Sequence, residues 1–357
     1  MSLWLFATLE GMGSARELAR RCERDIPDLW MLGGVTVNHH TLSDLRVRHG
    51  ARLKRLLVDT VAALVDRGLV PLETIAPDGM RVKARAGNRS FRRKETLETL
   101  QKQAQEQVDR LKNEAANEGE GPPRDARCKA ATERAARERQ ARIEEALQPH
   151  EQLSQQREAR EKGAGEKTRV STTDPDARQM KMANGGYDPA FNVQFATAAD
   201  SRVIVEVDVT NQGTDAGELP PMLAPIQAND GQTPQPAWAD SADATQETVT
   251  TAEAAGTLLV SSVPRAEQLR KHGKDPHSRQ RKDTDADARF RSRMAEPSYQ
   301  LLYKQRPSVA EFANADCRNR NLRQFRVRGL LKVKAIALWH ALAFNFTRFM
   351  NLGVLTS

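Results

Sequence analysis

One stretch limits the possible folds more than any other. Residues 187–210 read YDPAFNVQFATAADSRVIVEVDVT, two apolar, β-branched runs separated by the polar Asp200-Ser201-Arg202. That is the pattern of two strands joined by a turn. A purely helical scaffold or coiled-coil adaptor has no need of such strands. The segments that follow alternate in kind. DAGELPPMLAPIQAN reads as a helix with a proline-disturbed start, and PQPAWAD as a short strand ending at Asp240. TQETVTTAEAAG is a helix with an acidic first turn and a glycine stop, and TLLVSSV is another short strand. Residues 187–263 therefore predict a mixed α/β arrangement after an opening hairpin.

The flanks predict helices. From 1 to about 70, Leu45, Leu53, Leu56, Leu57, Val61 and Leu64 recur at helical spacing, with Ser43-Asp44 as an N-cap signal and Gly68 as a stop. LGGVTVNHHTLSD, between the first helices, reads as a turn with a short extended piece. His39 and His40 there are adjacent and lack a carboxylate or thiol at matching spacing, so they read as loop rather than metal ligands. In 72–85 (LETIAPDGMRVKAR) the PDG turn signal lies among extended-tolerant residues, which predicts a strand that carries or ends at Asp78. In 91–162, Leu97, Leu100, Ala104, Val108, Leu111 and Ala115 recur at spacings of three or four, a heptad-like seam. EGEGPP at 118–123 then breaks the helix, and a second Ala/Arg/Glu-rich helix follows over roughly 124–148, giving a helical hairpin. GAGEK (163–167) is a flexible joint, 265–294 reads as a mobile basic loop, and 296–351 is helical with a stripe of Ala335, Leu338, Leu342 and Phe346.

Charge and composition narrow the functional classes. The 357 residues carry 55 Lys+Arg against 47 Asp+Glu, a net charge of +8 that suits a polyanionic partner. Aromatics are only 5%, too few for a stacking platform on single strands. No apolar run approaches a membrane span, and MSLWLFATLE lacks the basic flank and cleavage site of a signal peptide. Cys22, Cys128 and Cys317 are too scattered for a disulfide framework or a metal knuckle. The expectation is a cytoplasmic protein.

Three carboxylates stand where folding does not require one. Asp78 and Asp240 fall at strand ends, and Glu311 lies in the helical run YKQRPSVAEFANADCRNR. Carboxylates at the ends of neighbouring strands, joined by one from a packed helix, offer hard oxygen ligands for Mg²⁺ or Mn²⁺. The N-terminal run ARLKRLLVDTVAALVDRG also presents Arg52, Lys54 and Arg55 on one helix, which suits either DNA contact or a solvated face.

Longer stretches carry a family resemblance. They are GMGSARELARRC, WMLGGVTVNHHTLSDLRVRHG, GLVPLETIAPDGMRVKARAGNRSFRR, TDPDARQMK, GYDPAFNVQFATAADSRVIVEVDVTNQGTDAGELPPM, PAWAD and YKQRPSVAEFANADCRNRNLRQFRVRGLLKVKAIALWHALAFN, in that order. Together they resemble the DDE-type transposases of bacterial insertion sequences, in the branch called the IS-eleven-eighty-two family. The resemblance implies an RNase H-like catalytic core, a mixed sheet flanked by helices. Residues 1–70 would form an N-terminal helical, DNA-end-binding-like domain, and 71–90 the first core strand. Residues 91–165 would be an inserted helical hairpin, and 166–351 the rest of the core with the basic loop 265–294. It implies Asp78, Asp240 and Glu311 as the catalytic triad, holding two Mg²⁺ (or Mn²⁺) ions. The Tyr-x2-Arg…Glu-x6-Lys signature falls on Tyr303, Arg306, Glu311 and Arg318, so that Tyr303, Arg306 and Arg318 would contact phosphates. The activity implied is metal-dependent cleavage and strand transfer of duplex DNA at transposon ends and target, by a homodimer associated with the nucleoid, with no small-molecule substrate.

Four departures from the family pattern shape the expectation. Met80 replaces the usual Thr, Ser241-Ala242-Asp243 replaces a Gly-Gly-aromatic run, and Arg318 stands for the signature Lys. Family members also extend further at the N-terminus. A catalytically dead, DNA-binding remnant is thus the alternative to an active transposase.

Overall fold

The computed structural model of the protein describes residues 1–117, 123–231 and 233–353. Five helices come first: α1 (Ser2–Leu9), α2 (Ala15–Arg21), α3 (Ile26–Met31), α4 (His39–Arg48) and α5 (Gly50–Asp66). Strand β1 (Ile75–Lys83) and the short β2 (Phe91–Arg92) lead to two long helices, α6 (Lys94–Asn117) and α7 (Pro123–Arg160). Strands β3 (Val170–Ser171), β4 (Arg178–Lys181), β5 (Tyr187–Ala198) and β6 (Ile204–Thr210) follow. Then come α8 (Leu219–Asp230), β7 (Ala237–Trp238), α9 (Gln246–Ala254), β8 (Leu259–Val260), α10 (Ala266–Lys271) and α11 (Asp285–Ala295). Helices α12 (Pro297–Asn319) and α13 (Leu330–Asn351) close the chain's described part. The chain divides into two compact units, one of residues 1–82, 191–326 and 330 onward, the other of 83–190 and 327–329.

The first unit is built on a mixed sheet. Its strands run β6-β5-β1-β7-β8. β5 and β6 are antiparallel, with Phe195 opposite Val207, while β1, β7 and β8 are parallel in the registers Ile75↔Ala237 and Ala237↔Leu259. The strands are buried on both faces: Phe191, Val193 and Phe195 on one face of β5, Asn192 and Gln194 on the other, with Ile204, Ile75 and Val260 buried beside them. Such strands need cover on each side. Helix α13 supplies much of it, packing on β6, α5, α1 and α4. Its apolar face is alanine-rich, so the backbones approach closely, and Asn345 inside it donates to Ile204 O (2.7 Å) and accepts from Ile204 N (2.8 Å). Helix α5 buries Leu53, Leu57, Val61 and Leu64, the i, i+4 row predicted for it, and ends before Gly68 at φ +67°. Trp4 and Trp339 each spend their indole N–H on a helix carbonyl, Leu42 O at 2.8 Å and Arg46 O at 3.0 Å.

The second unit is a helical hairpin with small strands at its base. Leu97, Ala104 and Val108 of α6 are buried, as are Ala136, Ile143 and Ala146 of α7. The turn expected at 118–123 lies outside the described residues except for Pro123. β2 pairs antiparallel with β3, and β4 with the first residues of β5.

Several local expectations need correction. PDG is not a turn: Pro77, Asp78 and Gly79 lie inside β1, which runs on to Lys83. Helix α7 does not stop near 148 but continues through Pro149 to Arg160. The lost amide bond there is offset by tertiary ties: His150 Nε2 to Thr168 O at 3.1 Å, and Ser154 Oγ donating to Gly165 O at 3.0 Å. Helix α4 begins at His39, capped by Asn38 rather than Ser43, because the Asn38 side chain accepts from His40 N at 2.9 Å. Residues 265–294 hold α10 and α11, the latter started by a reciprocal capping box of Thr284 and Asp287. Among the described residues no helix is long and apolar enough to cross a membrane, and Cys22 and Cys317 are buried free thiols while Cys128 is exposed.

Candidate active site

The site lies in the first unit, where β1 and β7 run side by side. Asp78 projects from β1, and the chain leaves β7 through Ala239 into Asp240. In the parallel register Ile75↔Ala237, residue 78 of β1 stands level with residue 240 just past β7, so these two strands bring both carboxylates to one region. Helix α12 closes it. Arg306 Nη2 donates to Asp78 Oδ1 at 2.7 Å, and Asn314 Nδ2 donates to Asp78 Oδ2 at 2.6 Å. Arg306 is buried, its side chain 8% exposed. Pro307 sits inside α12, yet the helix continues past it to Asn319.

Two further carboxylates join this pair: Asp243, which stands in the run that departs from the family pattern, and Asp215, to which nothing in the sequence points. Asp215, in the loop after β6, accepts from Asn192 Nδ2 and Gln194 Nε2, both at 2.7 Å. Gly79 makes this possible, since a Cβ there would stand 2.1 Å from Asp215 Oδ1. Asp243 is buried in the turn after Asp240, its amide donating to Asp240 O at 3.0 Å. Burial, with the negative charges of Asp215, Asp240 and Asp78 and against the pull of Arg306, pushes the Asp243 carboxyl up to about 8. Burial likewise raises Asp78, against the opposing pull of Arg306 and Asn314. A periodicity argument cannot find Asp215, because it depends on β5 presenting Asn192 and Gln194 to a loop some twenty residues on.

The remaining candidates fall as follows. Asp240 is exposed, and its Oδ1 accepts from Ser241 N at 2.7 Å. Glu311 is exposed on α12, one turn before Asn314, and among the described residues nothing bonds its carboxylate. Positions i and i+3 share a helix face, so Glu311 lies on the stripe that reaches Asp78 through Asn314. Tyr303 is half-buried and Arg318 exposed near the end of the same helix. In α5, Lys54 is ion-paired with the buried Glu206, Arg55 faces Asp59 at 3.6 Å, and Arg52 is exposed. Ser241, Ala242 and Asp243 all keep negative φ, so replacing glycines there does not strain the turn.

The donor set suits a hard divalent cation. Four carboxylates crowd one region, and Asp243 Oδ1, Asn192 Oδ1 and Asn314 Oδ1 are buried without a donor. Among the described residues, no three His, Cys, Asp or Glu side chains already converge at metal-binding spacing, and both Asp78 oxygens are held by α12.

Residues 164–346 match the family described as the transposase DDE domain, and the chain belongs to that family. The matched stretch takes in Asp240, Glu311, Tyr303, Arg306 and Arg318, while Asp78 and the helices α1–α7 fall outside it. No curated protein and no solved structure matches the chain. A transposase-type activity on DNA therefore follows from the family.

Proposed function

We propose that this protein is an insertion-sequence transposase of the IS-eleven-eighty-two branch, with an RNase H-like core in which Asp78, Asp240 and Glu311 form the catalytic centre. One observation carries this reading above the others. Asp78 inside β1 and Asp240 just past the end of the parallel neighbour β7 stand at the same level of the sheet, and the helix that grips Asp78 is the helix that bears Glu311. The sheet order, with two antiparallel partners on one side of β1 and two parallel ones on the other, supports the core assignment.

Asp78, Asp240 and Glu311 would hold two Mg²⁺ or Mn²⁺ ions, with Asp215 adding negative potential around them. When bound, such ions activate an attacking oxygen and stabilise a leaving one at a phosphodiester. The protein's own groups do the positioning. Arg306 and Asn314 hold the Asp78 carboxylate by both oxygens, which fixes its rotamer. Tyr303 and Arg318 flank this centre along α12, where a hydroxyl and a guanidinium suit scissile-strand phosphates. The substrates are duplex transposon ends and target DNA, engaged by a dimer that pairs two ends.

The test is cleavage and strand transfer on supercoiled plasmid carrying the element's ends, with Mg²⁺ or Mn²⁺, against Asp240→Asn. Metal-dependent nicking and joining that vanish in the folded variant support the reading. Folded wild-type protein that binds these ends and neither nicks nor joins them identifies a binding remnant and overturns it.

A further inference from the structure

We propose that the helical-hairpin unit carries a binding groove for the phosphate backbone of duplex DNA, formed by Arg92, Arg139, Arg142 and Arg328. This inference rests on the transposase reading for its partner, and its observations are independent of the catalytic carboxylates. The groove has a volume of about 490 Å³ and is lined entirely by residues of this unit. Three elements supply its arginines. Arg92 comes from β2, Arg139 and Arg142 from one face of α7 at i, i+3, and Arg328 from the segment just before α13. Thr96 and Thr173 add hydroxyls to the lining, which contains no carboxylate.

The charge is not neutralised within the fold. Among the described residues no carboxylate lies within ion-pair distance of Arg92, Arg139 or Arg328, and Arg142 has only the exposed Glu138 at 3.8 Å. Arg139 donates to Gln107 at 3.3 Å, a neutral partner. Crowding is visible at Arg328: burial chiefly lowers its pKa, and Arg85 and Arg142 add repulsion against the attraction of Asp174. Convergent guanidinium groups without matching acids cost stability in isolation. They are a receptor for an anion whose charges come in series. The hydroxyls and the fork geometry suit phosphate oxygens. Four cations drawn from three chain segments suit an extended backbone better than a single small anion. Such contacts position DNA without reading its sequence.

The experiment measures full-chain binding to a labelled duplex of arbitrary sequence by fluorescence anisotropy across a salt series. The variants are the triple Arg139→Gln/Arg142→Gln/Arg328→Gln, the corresponding triple Arg→Lys, and a control, Arg110→Gln/Arg134→Gln, that removes charge from the same hairpin outside the groove. Removing three phosphate contacts is expected to lower affinity at least about tenfold at 0.1 M salt and to flatten the salt slope by about 2 to 3, since each contact contributes about 0.9. The Lys triple should restore most of the slope, which also shows that the site tolerates substitution without unfolding. Wild-type affinity and slope in the Gln triple would overturn the groove, as would an equal loss in the control or no duplex binding by the wild type. Nicking by wild-type protein reports on the transposase reading separately. Nicking with unchanged binding in the triple sinks only the groove, and lost binding in the triple without wild-type nicking sinks only the catalytic assignment.

Discussion

Gly79 is the position where one methyl group tests the architecture of the site. It lies inside β1 beside Asp78, without a positive φ, so backbone freedom does not explain it. Space does. An alanine Cβ would stand 2.1 Å from Asp215 Oδ1, 2.5 Å from Gln194 Nε2 and 2.9 Å from Asn192 Oδ1, where about 3.5 Å is needed. Asn192 and Gln194 are 0% and 2% exposed, so neither has a free direction, and Asp215 must leave. Its departure breaks two bonds of 2.7 Å to a carboxylate. Charge-assisted bonds contribute about 1.5–3 kcal/mol each, but Asp215 regains water while two buried amides lose their acceptor. With an overpacking cost of about 1–3 kcal/mol, and the terms not additive, Gly79→Ala should destabilise this unit by about 2–4 kcal/mol. Denaturant unfolding followed through tryptophan fluorescence reads it, since Trp4, Trp238 and Trp339 are all buried in that unit. Asp215→Ala removes the nearest obstacle, so in that background Gly79→Ala should cost at least about 1 kcal/mol less. A Gly79→Ala protein within about 0.5 kcal/mol of wild type, or strictly additive changes in the double variant, would refute the packing argument.

Other consequences follow from buried charge. Burial pushes the Asp174 carboxyl up to about 6, against the bond its Oδ1 accepts from Gly329 N at 3.2 Å. A carboxyl raised on folding favours the folded state at low pH, and that contribution is lost as pH rises through about 6. Asp174→Asn keeps the acceptor, so it should stabilise the protein by about 1–3 kcal/mol at pH 8 and by nothing at pH 4, read from melting curves at both values. Lys54→Met leaves Glu206 as an unpaired carboxylate, already raised by burial. It should cost about 2–4 kcal/mol at pH 8 and progressively less as pH is lowered and Glu206 takes up a proton. Titrating Mn²⁺ into the protein should raise the melting temperature in proportion to the logarithm of concentration, and Asp240→Asn should weaken the effect, as calorimetry would record.

Much of the frame was legible because it is local. The β5–β6 pair, the i, i+4 row of α5 with its Gly68 stop, and the α6 seam all follow from periodicity and end signals read within one element. The misread features depend on distant partners. Pro77-Asp78-Gly79 resembles a turn until Asp215, Gln194 and Asn192 fill the volume where a side chain would sit. Pro149 resembles a stop until residues 165 and 168 hold the next turns of α7. Of the site, Asp240 could be placed at a strand end and Asp78 on a strand from pattern, although that strand runs past Asp78 to Lys83. Asp243 was legible only as a charge three residues past Asp240; Asp215 was not, because only the folded sheet brings it in, and Arg306 is buried against Asp78 rather than standing on a solvated face.

The measurement that bears most directly on the proposed centre concerns Glu311, the carboxylate with no bonding partner among the described residues. Glu311→Gln keeps size and helix while removing the charge. The initial rate of Mn²⁺-dependent plasmid nicking should fall by about 10³-fold or more, with melting temperature and duplex affinity unchanged, if Glu311 acts with Asp78 and Asp240 on one phosphodiester. Nicking at the wild-type rate by Glu311→Gln, alongside loss in Asp240→Asn, would place the third carboxylate elsewhere and contradict the assignment.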